Sequence, residues 1–169
     1  MSGLDELAGR REIVSAAAME ALGERVGAAL RPGDLLVLTG PLGAGKTTLT
    51  RGIAAGLGVR GPVQSPTFVI ARTHPSLVGG APLVHVDAYR LGSAAELDDL
   101  DIDFDRSVVV VEWGRGMAHA VARTWWEIEL ERPVGGGGTG LDDQELDADA
   151  PRIVTIRRVD GAAAAGSEV

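Results

Sequence analysis

The run Gly40-Pro41-Leu42-Gly43-Ala44-Gly45-Lys46-Thr47 sets glycines, a lysine and a hydroxyl at a spacing that can enclose phosphate. Glycine lets the backbone approach a ligand closely and adopt dihedrals closed to other residues. Successive N–H groups around Gly43, Ala44, Gly45 and Lys46 can then turn inward onto phosphate oxygens. A helix that follows presents its positive N-terminal end to the same group. In such a P-loop the lysine, Lys46, reaches the β- and γ-phosphates, and the Thr47 hydroxyl holds Mg2+. Leu42, Gly43, Ala44, Gly45, Lys46, Thr47 and Thr48 form the candidate contact set for ATP. The competing reading is a glycine-rich turn that fits the pattern by accident. Of the 16 basic residues all but Lys46 are arginine. A general bias towards arginine explains the others, but not the one lysine at the position that suits a compact ammonium.

Further acids could complete the site. Val108-Val109-Val110-Val111-Glu112 has the form of a Walker-B strand, which delivers a carboxylate to the Mg2+ shell. It equally fits a core strand that ends in a solvated glutamate. In His85-Val86-Asp87-Ala88-Tyr89-Arg90, His85 and Asp87 are two apart and share one face of a strand. Asp87 could orient water or touch the metal, although periodicity alone favours an acid capping a turn. Ser65-Pro66-Thr67-Phe68 is either a switch segment that senses the γ-phosphate through Thr67 or the entry turn of a strand. The acidic cluster from Asp98 to Asp105 lacks the glycine hinge and bidentate Glu of a calcium loop and reads as a solvated face. An Asn-Lys-x-Asp guanine-reading motif is impossible with Lys46 as the only lysine.

The elements that must position these residues follow from hydrophobic period. Met19, Leu22, Val26 and Leu30 recur at helical spacing over Ser15–Leu30, with Ser15 as cap and with Gly23 and Gly27 weakening the helix. Leu35–Thr39 reads as a strand buried on both faces, and Thr47–Leu57 as the helix after the loop, closed by Gly58. Residues 67–73 and Leu83–Tyr89 read as a hairpin-like pair. Ser93-Ala94-Ala95-Glu96 is a capping-box pattern opening a short helix, and a further short helix is expected over Met117–Arg123. Trp126–Leu130 and Ile153–Val159 alternate apolar and charged residues and read as an antiparallel pair of half-exposed strands. The expected fold class is α/β: one P-loop NTPase-like domain over residues 14–160, with a mixed, largely parallel central sheet flanked by helices. Residues 1–13 are expected to be a flexible N-terminus, 134–150 a flexible Gly/Asp-rich insertion and 161–169 a disordered tail.

Composition bounds the function. The chain has 169 residues, no cysteine and a net charge of −8. Disulfides, thiolate metal sites and a thiol nucleophile are excluded. No apolar run nears the ~20 residues that span a bilayer, and the first residues are polar, so a cytoplasmic protein is expected. Acidic charge disfavours unaided nucleic-acid binding, which draws most of its affinity from phosphate contacts.

The P-loop segment through Thr48-Leu49-Thr50-Arg51-Gly52, Ser65-Pro66-Thr67-Phe68, His85-Val86-Asp87-Ala88-Tyr89-Arg90-Leu91, Glu96-Leu97 and Val111-Glu112-Trp113 occur in one order over residues 15–130. Together they resemble the bacterial tRNA threonylcarbamoyladenosine biosynthesis ATPase family, TsaE. The resemblance implies a small α/β P-loop fold that binds ATP and Mg2+ and hydrolyses ATP weakly alone. It implies work with a transferase subunit, TsaD, and its inactive paralogue, TsaB, which place a threonylcarbamoyl group on the adenosine beside the anticodon of tRNA. The ATPase would meet tRNA only through that complex and would not perform the transfer. By the same resemblance Thr47 and Glu112 are Mg2+ ligands, Asp87 is a catalytic carboxylate, and Ser65 and Thr67 lie in the switch segment. Pro41 stands where many members have Asp, and Ala16 to Met19 where they carry a Thr near the adenine. A small-molecule kinase and a non-hydrolytic, ATP-gated assembly switch are the competing functions.

Overall fold

The strand Leu35–Thr39 is continuous in apolar residues because it is covered on both faces, and the remaining elements are arranged around it. The computed structural model describes residues 3–41, 43–61, 70–132 and 151–161. In chain order the strands are β1 (Gly9–Ile13), β2 (Leu35–Thr39), β3 (Ala71–His74), β4 (Leu83–Asp87), β5 (Val108–Glu112), β6 (Thr124–Glu131) and β7 (Arg152–Asp160). The helices are α1 (Ala16–Ala29), α2 (Lys46–Leu57) and the short α3 (Ala94–Asp98). They build a single α/β domain on a seven-stranded sheet of order β1-β7-β6-β2-β5-β4-β3. The four central strands, β6, β2, β5 and β4, are parallel, and antiparallel pairs close both edges. The expected mixed sheet with a parallel centre is the one found.

Side chains two apart on a strand share a face, so each central strand divides its apolar residues between two cores. Leu36, Leu38, Val108, Val110, Ile128 and Leu130 pack under α1 and α2. Leu35, Val37, Val109, Val111, Val84 and Val86 pack on the other face, under Leu97 of α3 and Ala118. Trp125 and Trp126 are buried on opposite faces and serve the cores.

Glycine explains how α1 and α2 fit together. A Cβ on Gly23 would lie 2.4 Å from the Leu49 carbonyl oxygen, and one on Gly27 would lie 2.2 Å from that of Ile53. Gly52 and Gly56 face the Glu20 and Glu24 carbonyls in the same way, at 2.2 Å each. Each helix therefore lays a pair of glycines, four residues apart, against the other helix's backbone. The glycines that lower the intrinsic propensity of α1 are what allow it to pack so closely.

Several elements differ from the sequence expectation. Residues 1–13 were expected to be flexible, yet Gly9–Ile13 is an edge strand paired antiparallel with β7, and Leu4, Leu7 and Ile13 are buried. Charge in this segment hid the strand: Arg10 and Glu12 alternate with its inward positions. Beyond Trp126 and Ile153, β6 and β7 each extend by one or more residues, and β6 lies between β2 and β7 as an interior strand. The helix expected over Met117–Arg123 is a single 3-10 turn, Ala118–Ala120. Ser93 stands at the N-cap of α3 without a side-chain cap bond; instead the Glu96 carboxylate accepts from the Gly92 N–H. The expectations for 134–150 and for 162–169 fall outside the described residues.

Candidate nucleotide-binding site

At the end of β2 the chain must turn away without striking β6. A Cβ on Gly40 would lie 2.7 Å from the Leu130 carbonyl oxygen, so glycine is required there. Gly43 and Gly45 take left-handed dihedrals, φ 79° and 103°, and Gly45 is the N-cap of α2. Pro41 O accepts from the Ala44 N–H at 3.1 Å and closes the turn. Lys46 opens α2, and its ammonium folds back on its own loop, donating to Gly40 O and, at 3.3 Å, to Pro41 O. Thr47 and Thr48 stand half-buried in the first helical turn, where backbone N–H groups lack intrahelical acceptors. The strand, loop and helix that a P-loop requires are all present.

The two carboxylates come from neighbouring strands. Asp87 ends β4, Glu112 ends β5, and the two are cross-strand partners; Glu112 is also opposite Leu38 of β2. Glu112 is 4% exposed, which removes the reading of a solvated glutamate. His85 Nε2 donates to its Oε2 at 3.2 Å from a fully buried ring. His85 Nδ1 is buried with no hydrogen-bond partner among the described residues. Asp87 does cap a turn: its Oδ1 accepts from the Tyr89 N–H at 3.1 Å. Its charge also reaches Lys46. Burial pushes the Lys46 pKa below its ordinary value, and Glu112 and then Asp87 pull it back up. The ammonium is thus bonded to two loop carbonyls and feels the charge of two acids.

An aromatic residue closes this group. Trp113 follows Glu112 with φ 62°, a left-handed conformation costing a bulky residue about 1–2 kcal/mol. Its ring lies 4.3 Å from Lys46 Nζ, a cation–π contact that offsets part of the cost. Tyr89 meets Trp113 edge-on at 5.9 Å, and both are exposed.

The other end of the loop borders a cleft of about 160 Å3 lined by Ser15, Ala16, Met19, Thr48, Arg152 and the loop residues 43–45. Ser15 also caps α1, accepting from the Ala18 N–H at 3.1 Å. Sequence reasoning missed Arg152 and its neighbour Arg132. Arg152 stands one position before the strand read from the alternating pattern, and nothing local distinguishes it from the other arginines. A larger cavity, about 510 Å3, lies at the opposite end of the sheet between Asp34 and Arg158 and is remote from the loop. Leu42, Ser65 and Thr67 lie outside the described residues. The Asp98–Asp105 acids are exposed, and among the described residues no three or more His, Asp or Glu side chains are grouped to hold a metal. No helix of the described residues is long and apolar enough to cross a membrane.

Comparison with known proteins adds a family. Residues 13–135 match the family model for threonylcarbamoyl adenosine biosynthesis protein TsaE. The tRNA threonylcarbamoyladenosine biosynthesis protein TsaE of Streptomyces coelicolor is 58% identical over 120 residues, covering 69% of this chain and 81% of the relative. The protein of the same name from Bacillus subtilis is 37% identical over 128 residues, 75% of this chain and 76% of the relative. The crystal structure of YdiB from B. subtilis superposes with a TM-score of 0.64 at 30% identity, covering 91% of this chain and 86% of that one.

Proposed function

The chain belongs to the TsaE family of threonylcarbamoyl adenosine biosynthesis proteins, and from that premise we propose that it is an ATP-binding and ATP-hydrolysing subunit of the tRNA N6-threonylcarbamoyladenosine machinery. The observation that carries the ATPase reading is Lys46, folded onto the Gly40–Pro41 carbonyls within charge reach of the paired acids Asp87 and Glu112. The loop N–H groups and the N-terminus of α2 hold the phosphates, and Lys46 neutralises the terminal ones. The cleft beside Met19 and Thr48 takes the nucleoside.

Mg2+ fits the donors present. A threonine hydroxyl and one or two carboxylates are the hard oxygen set this ion takes alongside phosphates and water, without a cage of protein acids. Thr47 and Glu112 would hold it, and when bound it would neutralise charge developing on the γ-phosphate. Glu112 is fixed by His85, whereas Asp87 is only partly buried and open to solvent. Asp87 is therefore the better placed of the two to orient the attacking water.

The partners in this reading are TsaD and TsaB, and tRNA is reached through them. A net charge of −8 supports a subunit that does not bind RNA by itself. The test is ATP hydrolysis by the purified protein, alone and with the two partners, beside Lys46→Ala. Low turnover that changes with the partners and vanishes in Lys46→Ala is expected. Turnover indifferent to the partners, or γ-phosphate appearing on a small acceptor, would overturn the link to tRNA modification. An Asp87→Asn variant that binds ATP, does not hydrolyse it and still supports repeated modification would make the protein a binding switch.

A further inference from the structure

Buried polar side chains continue behind Glu112, on the sheet face that packs under α1 and α2. In register, His85 of β4 is opposite Val110 of β5, and Glu112 lies two residues further on the same face. That diagonal step is short enough for His85 Nε2 to reach the Glu112 carboxylate at 3.2 Å. The same step recurs on the other side of His85. His74 of β3 is opposite Leu83, two residues before His85, so the two histidines share the face and stand diagonal to one another. His85 is fully buried and His74 is 7% exposed. Burial holds the His74 pKa below its ordinary value, and His85 is near enough to add to the lowering. His74 Nδ1 donates to Arg60 O at 3.1 Å, because a carbonyl can only accept. His74 Nε2 and His85 Nδ1 remain, both buried and both without a hydrogen-bond partner among the described residues. A neutral imidazole donates through one nitrogen and accepts through the other. Each ring already uses its donor, on Arg60 O and on Glu112, so both remaining nitrogens are acceptors and cannot pair with each other. Buried acceptors are rarely left unpaired. One water carries two O–H donors and can serve both.

We infer that His74 and His85, joined by one bridging water, form a continuous hydrogen-bonded line from Arg60 O to Glu112, and that both are positioning residues for the Mg2+ site. This rests on the reading above in which Glu112 holds the metal. One Glu112 oxygen is committed to His85, which leaves the other for the ion. A carboxylate fixed in this way has less freedom to lose when the metal binds. His74 acts through His85: it holds the ring so that Nε2 stays on the carboxylate.

Two measurements on the full chain test this. The first is long-range 1H–15N NMR of the histidine rings without nucleotide, at about pH 8, where an ordinary imidazole is neutral. His85 should carry its proton on Nε2 and His74 on Nδ1, and both bare nitrogens should show the shielding of an accepted hydrogen bond. The second is titration calorimetry of ATP in Mg2+ and in EDTA for wild type, His85→Leu, His85→Gln and His74→Asn, with a melting curve for each. His85→Leu should lose about tenfold of the affinity that Mg2+ adds. His85→Gln should recover part of it, because its amide sets a donor near the Nε2 position. His74→Asn keeps a donor for Arg60 O but lacks the Nε2 acceptor, and should lose about threefold, the worth of a weak hydrogen bond. Affinity in EDTA should stay at the wild-type value in all three, whereas a general loss of structure would lower it too. A histidine in the other tautomer, or a bare nitrogen with the shift of a free lone pair, overturns the inference. So does a folded His74→Asn with the full wild-type gain from Mg2+; if that variant does not fold, the wild-type ring spectra decide. Wild type that binds no ATP, or gains nothing from Mg2+, sinks the underlying reading of the site, which the nucleotide-free spectra do not depend on, so the two failures are distinguishable.

Discussion

Consider Gly27→Ala. On an isolated helix this change stabilises by about 1 kcal/mol, because alanine is the better helix former. In α1 the new Cβ would sit 2.2 Å from Ile53 O and 3.0 Å from the Leu57 nitrogen, all of them backbone contacts that no rotamer change relieves. An ordinary contact needs about 1 Å more, so α1 and α2 must part along a seam closed by Gly23, Gly52 and Gly56 as well. Overpacking of this kind costs about 3 kcal/mol, the upper end of the usual range, since both sides are rigid. Set against the propensity gain, the variant should be less stable by about 2 kcal/mol. For a chain of this length that lowers Tm by about 4–8 °C. Urea and thermal unfolding followed by circular dichroism would measure both quantities. A Gly27→Ala protein that melts at or above the wild-type temperature would refute the close-packing argument and leave helix propensity in control.

Two other perturbations probe buried histidines. Burial holds the His74 pKa below its ordinary value, although the bond between Nδ1 and Arg60 O at 3.1 Å opposes this. The unfolded chain therefore binds the proton more readily, and the stability present above about pH 6.5 is lost as pH falls. Tm measured from pH 8 to pH 5 should fall more steeply for wild type than for His74→Gln; parallel curves would count against it. For the His85–Glu112 bond, a double-mutant cycle of His85→Leu and Glu112→Leu in urea should give a coupling of about 1.5–3 kcal/mol. A coupling below about 0.5 kcal/mol would mean that His85 does not hold Glu112.

Much of the site was legible because its chemistry is local. The glycine-rich loop is a contiguous run, and strand and helix on either side follow from apolar period. Asp87 and Glu112 were found as acids at strand ends, but sequence could not decide whether Glu112 was solvated or whether Asp87 did more than cap a turn. Burial answers that for Glu112, through a histidine 27 residues away in sequence. Asp87 caps a turn, the reading that periodicity favoured, and its charge also bears on Lys46, which no local pattern announced. The edge strand Gly9–Ile13 was illegible because an edge strand tolerates charge on its outward positions, and its partner lies at the far end of the chain.

The sequence by itself determined the glycine-rich loop between a strand and a helix, the order of the central elements along the chain and the family resemblance. Each of these depends on residues near one another along the chain, where spacing alone constrains geometry. Tertiary structure decided which side chains from distant segments share that loop. Register in β6 and β7 brings Arg132 and Arg152 to Gly43, and register in β4 and β5 sets His85 to hold Glu112. It also turned Gly23 and Gly27 from helix weakeners into one side of the seam of a helix pair. The physical reason is common to all three: strand pairing and helix packing select partners by shape and register across the fold, and neither is written in the local period of one segment.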